Sequence, residues 1–271
     1  METLQLNVRD LESPPTGVLA QLRKARRPVV LTGAGISAES GVATFRGGAD
    51  SLWSRFDPAQ LATADAFDAD PALVWGWYRW RMAGLQRAQP NAGHRALARL
   101  AELRPGLQLV TQNVDDLHER AGSRGVIHLH GELCAVRCRR CHAPQGLAID
   151  PSWADTPSLR AAPPACARCD GPLRPGVVWF GETLPAAALD AAIHAFERAD
   201  LLLVVGTSGL VYPAAGLPQL APRECARYEI NPQPSALSVQ MDGLWRELAG
   251  QALPMLIEAL PPGADAPAGQ R

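Results

Sequence analysis

The chain has 271 residues, 47% of them hydrophobic and 20% charged, which suits one large domain or a large domain carrying a small one. That balance excludes both a disordered chain and a membrane composition. Basic and acidic residues nearly cancel, 26 against 27 for a net charge of -1; nothing electrostatic points to nucleic acid or a membrane surface as partner, and small-molecule or protein chemistry is expected.

The opening METLQLNVRDLESPP lacks the apolar run of a signal peptide and carries acids that a transit peptide avoids, so a cytoplasmic protein is expected. PVVLTG (28–33) reads as a buried strand, and its form, apolar and then polar at the C-terminal end, recurs in LQLVTQ (107–112), LLLVVGTS (201–208) and ARYEIN (226–231). Helices are predicted over 94–104, 115–122 with Gly122 as C-cap, 186–199 and 242–260. Apolar strands alternating with helices predict an α/β fold, an open, doubly wound parallel sheet covered on both faces. Two inserts break the alternation: residues 45–90, rich in tryptophan and helical, and residues 131–175, which hold five of the six cysteines and much proline. The tail, 261–271, has a disordered composition.

Several motifs carry chemistry. GAGISAESGVATFRG (33–47) follows the first strand, and Gly33 and Gly35 permit a close backbone approach to phosphate, although Ala38 stands where a dinucleotide fingerprint has its third glycine. Cys138-Arg-Arg-Cys141 and Cys166-Ala-Arg-Cys169 are separated by 24 residues, and two C-x-x-C knuckles supply the four thiolates of a closed, structural Zn²⁺ site. Cys134 and Cys225 fall outside that pattern and read as buried apolar residues. TQNVDDLHERAG (111–122) and HLHGEL (128–133) place Gln112, Asn113 and Asp115 at a strand end, followed by His118, His128 and His130. Histidine suits a general base, and the pattern alone does not choose among the three. RPGVVWFGETLP (174–185), Gly206-Thr207-Ser208, Asn231, and the pair Tyr78 and Arg81 complete the set.

Taken in this order, GAGISAESG, TQNVDDLHERAG, HLHGEL, the two C-x-x-C pairs, VVWFGE, VVGTS and the late asparagine resemble the sirtuin family of NAD-dependent protein lysine deacylases, over roughly residues 20–260. The resemblance implies a Rossmann-like large domain (about 20–44, 91–130 and 176–260) and a small domain inserted from a helical part (45–90) and a zinc ribbon (131–175). It implies that Gly33, Ala34, Gly35, Ser37, Gly206, Thr207, Ser208, Asn231 and Ala249 hold NAD, with Thr44, Phe45 and Arg46 on a loop over it. It further implies that Gln112, Asn113 and Asp115 line the nicotinamide and ribose pocket, that His130 with Asn113 is catalytic, and that His128 is structural. Val178, Trp179, Phe180, Gly181 and Glu182 match the strand that pairs with the substrate backbone.

Within VWGWYRWR (74–81), Tyr78 and Arg81 match the pair of a subgroup that removes succinyl, malonyl or glutaryl groups and acetyl more weakly, and Ala62 matches a small residue that makes room for a longer acyl chain. An arginine fork and a phenol in an apolar channel bind a terminal carboxylate. The implied products are nicotinamide, O-acyl-ADP-ribose and free lysine, with NAD consumed as co-substrate. Protein ADP-ribosyl transfer from the same site is the alternative.

Overall fold

The computed structural model describes residues 10, 15–44, 57–155 and 160–260. Helix α1 (Thr16–Lys24) leads into strand β1 (Pro28–Thr32), every residue of which is buried, and a single helical turn, α2 (Gly35–Ala38), follows. Short helices α3 (Pro58–Leu61) and α4 (Ala64–Ala69) precede the long α5 (Pro71–Arg87), and each of the three is capped by a side chain, from Asp57, Thr63 and Asp70 respectively. Helix α6 (Ala92–Leu103) has a capping box formed by Asn91 and His94. Next come β2 (Gln108–Thr111), the one-turn α7 (Leu117–Arg120), β3 (Ile127–His128), and the strands β4 (Gly131–Cys138) and β5 (Leu173–Val177). The chain ends with α8 (Ala186–Glu197), β6 (Leu201–Val205), β7 (Ala226–Ile230), β8 (Gly243–Trp245) and α9 (Ala249–Glu258).

Six parallel strands form the main sheet in the order β3-β2-β1-β6-β7-β8, the doubly wound arrangement expected from the apolar runs. One face packs Val18, Leu22, Leu97, Leu100, Leu253 and Leu256 of α1, α6 and α9 against Val30, Leu203 and Val205. The other packs Ala192 and Phe196 of α8 and Leu217 against Val29, Leu31, Leu202 and Val204. A third core joins α3, α4 and α5 to the antiparallel pair β4–β5 through Phe67, Trp75, Tyr78, Met82, Val136 and Trp179. Arg139–Asp68 and Arg160–Asp70 ion pairs clip the two inserts together at the surface.

The segment 242–260 is not one helix. Gly243, Leu244 and Trp245 pair with Tyr228, Glu229 and Ile230 as the edge strand β8, and the helix begins only at Ala249. A short apolar run has no period long enough to separate strand from helix, and pairing with β7 decides it. The helix expected over 115–122 is shorter as well. Asp115 turns its carboxylate onto the Leu117 N–H at 3.3 Å and stays outside the helix, while Gly122, with φ of +104°, ends it as expected.

Candidate active site

A cleft of about 670 Å³ opens at the C-terminal ends of the strands, between the main sheet and the third core. Its floor is made of backbone. The Gly33 N–H bonds Val205 O at 3.0 Å and the Gly35 N–H bonds Gly206 O at 2.8 Å, so the turns after β1 and β6 cross in contact. A Cβ on Gly35 would sit 2.7 Å from Gly206 Cα, and one on Gly206, whose φ is +61°, would sit 2.6 Å from Ile36 N. Only glycine permits this crossing, which leaves bare peptide groups facing the cleft at the β1/β6 switch point, where doubly wound sheets bind dinucleotides.

At the β2–β3 end of the cleft stands His130, ahead of β4. Its Nδ1 donates to the Gln112 carbonyl at 2.8 Å, which fixes the neutral tautomer with the Nε2 lone pair as base, and burial lowers its pKa. Gln112 Nε2 in turn donates to Thr207 Oγ1 at 3.0 Å. His128 differs: its two ring nitrogens meet the Asn113 carbonyl at 3.2 Å and the Glu119 carboxylate at 2.9 Å. Burial alone would lower its pKa, but Glu119 and Asn113 outweigh it and the shift is upward. With both nitrogens committed, His128 is a structural pin.

Behind His130 lies a buried polar chain. The Asn91 N–H donates to His94 Nδ1, so His94 Nε2 carries the proton and points at Ser37 Oγ, 3.4 Å away. Ser37 donates to Asp115 Oδ2 at 2.9 Å and accepts from Asn113 Nδ2 at 3.1 Å. A parallel chain runs from His118 Nε2 to Thr32 Oγ1 at 3.0 Å, and Thr32 donates to Thr111 Oγ1, which also accepts the Asn113 N–H. Burial drives the pKa of His94 down to about 4 and that of His118 to about 3, so both rings are neutral. Burial likewise raises Asp115, against the pull of the Ser37 hydroxyl and the Leu117 N–H. Ser37 and Asp115 face a side chamber of about 170 Å³ that shares Ala34, Arg81 and Asn113 with the main cleft.

The opposite wall carries Tyr78 and Arg81. Tyr78 Oη accepts from Trp179 Nε1 at 3.0 Å, which leaves its own proton to donate, and burial pushes its pKa up to about 12. Arg81 stacks over Trp77 and Tyr78, with centroids 4.7 and 5.7 Å away, and burial pulls its pKa down without discharging it. The segment after β5 is held at two points: Val178 N–H bonds His130 O at 2.8 Å, and Phe180 N–H bonds Ala62 O at 2.9 Å. Arg174, 3% exposed, braces this segment from behind by a two-pronged pair with Glu182, a bond to Val177 O, and a stack 3.5 Å over Trp179. Glu182 also accepts the Trp179 N–H; its pKa falls despite burial because Arg174 and that N–H favour the charged form.

Four cysteines gather at the far end of β4, Cys138 and Cys141 with Cys166 and Cys169, their Sγ atoms all within 4.8 Å of one another. The spacings of 3.5 Å for Cys138–Cys169 and 3.7 Å for Cys141–Cys166 match the S···S edge of about 3.8 Å that a tetrahedron with Zn–S of about 2.3 Å requires. The two knuckles repeat each other: His142 and Asp170, the residues that follow Cys141 and Cys169, have φ of 58° and 57°, and their N–H groups return to Cys138 O and Cys166 O. The Cys141 and Arg140 N–H groups point at Cys138 Sγ and lower its pKa to about 6, which favours the thiolate that zinc needs. The donor set fits Zn²⁺ with no open position. Seven steps along β4, at about 3.3 Å each, put it about 23 Å from the His130 end, so its role is structural.

A Sir2 family model matches residues 33–213. The chain belongs to the Sir2 family. A Methylococcus capsulatus protein named NAD-dependent protein deacylase is 51% identical over 246 residues, which are 90% of this chain and 96% of that one. Among solved structures, a Sir2 homolog–NAD complex aligns with a TM-score of 0.82 and 44% identity over 92% of this chain and 94% of the other. A Sir2–p53 peptide–NAD⁺ complex aligns with 0.75 and 31% identity over 89% and 95%.

In this sirtuin the cleft gathers Gly33, Ala34, Gly35 and Thr44 from the first turn, Gly206, Thr207 and Ser208 from the second, and Asn231 and Ala249 from the β7 side. Gln112, Asn113, His130, Ala62, Tyr78, Arg81 and the segment Val178–Glu182 also line it. Phe45, Arg46 and the tail lie outside the described residues. Cys225 is buried and Cys134 half-buried, and burial raises both thiols to about 11. The sequence reading gave no role to Arg174, Glu229 or Tyr212, a cleft residue 71% exposed. Only Glu229 had a legible signal, since it stands two before Asn231 and so on the same face of a strand.

Proposed function

We propose that this sirtuin is an NAD-dependent protein lysine deacylase whose acyl pocket favours groups ending in a carboxylate, releasing nicotinamide, O-acyl-ADP-ribose and free lysine. The observation that carries the reaction is His130, locked by Gln112 with its Nε2 as base and bonded through its carbonyl to the segment that borders the substrate strand. NAD, the co-substrate, supplies an electrophilic ribose carbon and a leaving nicotinamide. Asn113 and Asp115, held by Ser37 and Thr111, line the chamber for the nicotinamide end, and His130 takes the proton of a ribose hydroxyl. Trp179, Ala62 and Tyr78 exclude water around the acyl chain.

The acyl preference is supported by Arg81 and Tyr78 side by side at one end of the cleft, both proton donors in an apolar, desolvated wall. Four clustered thiols support one structural Zn²⁺. Six cysteines free of disulfides, together with the absence of any helix among the described residues long and apolar enough to cross a membrane, support a cytoplasmic setting. The near-neutral charge supports acyl-lysine proteins, and neither nucleic acid nor lipid, as partners. The main sheet with its two helical faces forms the large domain, and α3–α5 with the β4–β5 ribbon forms the small one.

The test is a panel of acetyl-, succinyl-, malonyl- and glutaryl-lysine peptides with NAD, read by product mass, on wild type and His130→Ala. Expected are free lysine and O-acyl-ADP-ribose from wild type, fastest with the acidic acyl groups, and NAD binding without turnover in the variant. ADP-ribose attached to protein, with no deacylation, would refute the reading in favour of ADP-ribosyl transfer.

A further inference from the structure

Glu229 is fully buried in β7, yet it faces no cation: none of the ion pairs among the described residues includes it. An uncompensated buried carboxylate is costly and calls for a reason. Its partners are neutral donors. One oxygen accepts from Asn231 Nδ2 at 3.1 Å, and the other accepts the Ser238 hydroxyl. Asn231 Nδ2 has a second hydrogen, which goes to the Thr207 carbonyl at 3.0 Å. Both neighbours of that nitrogen are pure acceptors, so the amide has one permitted orientation; flipped, it would set oxygen against oxygen. Asn231 therefore turns no N–H toward the cleft it lines, only its Oδ1 acceptor.

An acceptor-only group selects a hydroxyl and repels a phosphate. Asn231 ends β7, on the far side of the β1/β6 switch point from His130 and Asn113, which sit at the ends of β2 and β3. A dinucleotide that spans the switch point with its reacting ribose at His130 has its other ribose, that of adenosine, on the β7 side. Glu229 also braces the wall beside Asn231: Ser238 Oγ accepts the Ser235 N–H at 2.8 Å, and Ala236 N–H bonds Ser208 O at 3.1 Å.

We propose that Glu229 is the positioning residue for adenosine-ribose recognition, fixing the Asn231 amide so that the site accepts NAD and rejects dinucleotides phosphorylated on that ribose. This rests on the reading of the cleft as an NAD site. It assigns to a buried glutamate acting through an amide the selectivity that many dinucleotide folds obtain from an acidic side chain placed directly on the ribose.

The experiment measures Kd for NAD and NADP by calorimetry, with kcat and KM for NAD, on wild type, Glu229→Leu, Glu229→Gln and Ser238→Ala. Leucine releases the amide and should raise Kd and KM for NAD about tenfold, lower the NAD-over-NADP preference about tenfold, and leave kcat within about twofold. Glutamine still accepts from Asn231 and donates to Ser238 Oγ, so it should stay within about threefold of wild type in every constant. An unchanged NAD Kd in Glu229→Leu overturns the proposal, as does a Glu229→Gln as impaired as the leucine variant. Where Glu229→Leu does not fold, Ser238→Ala decides: a Kd for NAD raised about threefold supports the assignment, and an unchanged Kd overturns it. A wild type that binds NAD selectively and obeys these shifts but deacylates no peptide refutes the deacylase reading and leaves this one standing.

Discussion

The buried histidine pair makes a quantitative prediction about acid. His94 and His118 stack edge to face at 5.0 Å, with pKa values held down at about 4 and about 3 against an ordinary 6.5. The unfolded chain therefore binds protons that the folded one refuses. Stability contributed by the two neutral rings is whole above about pH 6.5 and is lost as pH falls toward 4 and then 3. At 1.36 kcal/mol per pH unit, each ring forfeits about 2 kcal/mol between pH 7.5 and pH 5, and together about 6 kcal/mol by pH 4. That rivals the whole stability of a typical domain, about 5–15 kcal/mol. His128 and Asp115, whose pKa values are raised, work in the opposite direction, and acid release of zinc adds to the loss. A difference between wild type and His118→Phe cancels these shared contributions. At pH 7.5 the variant should be less stable by about 1 kcal/mol, from the lost bond to Thr32. On acidification to pH 5 it should lose about 2 kcal/mol less than wild type. Urea unfolding followed by tryptophan fluorescence measures both. Equal losses in the two proteins, within about 0.5 kcal/mol, would refute the reasoning.

Arg81→Met should cut kcat/KM for a succinyl-lysine peptide about 100-fold, the worth of two charge-assisted hydrogen bonds, while changing the acetyl-lysine value less than about threefold; equal losses would sink the acidic pocket. Metal analysis should find one zinc per chain, and a chelator should lower Tm by more than about 5 °C and loosen the core around Trp179; a chelated protein with unaltered Tm contradicts the ribbon's structural role. Arg174→Met strands Glu182 and should cost about 3 kcal/mol of stability, less where water reaches the carboxylate, and raise KM for peptide more than it lowers kcat. A variant with wild-type KM would show that Arg174 does not shape the substrate-facing segment.

What the sequence disclosed depended on how local each signal was. β1 and β6, with most of β2, were legible because a parallel strand buried on both faces needs an unbroken apolar run, and the polar residues that end these strands and β7 marked the cleft. The cysteine knuckles were legible because each pair is set by a three-residue turn. β8 was hidden, since Gly243, Leu244 and Trp245 form a strand only by lying against β7. The ribbon strand β4 was hidden too, because a register shift between Glu132 and Arg137 interrupts the alternation. The pairing of Arg174 with Glu182 joins the start of β5 to the turn beyond it, with no period to announce it. The bonds to Gln112, Glu119 and Thr32 tell the three candidate histidines apart, and each partner is chosen by the fold.

The glycine crossing of Gly33, Gly35 and Gly206 has a consequence for how such a molecule changes over time. At the crossing itself the cleft floor is peptide backbone, whose chemistry no codon change alters, and any Cβ added at these three glycines collides with a neighbouring turn. Across the cleft the lining is side chain, from Ala62, Tyr78, Arg81 and Trp179. One molecule thus carries a frozen half and a plastic half across a single cleft. A library that randomises Ala62, Tyr78 and Arg81 should return active variants with new acyl choices, all still dependent on NAD, whereas a library at the three glycines should return almost nothing that folds.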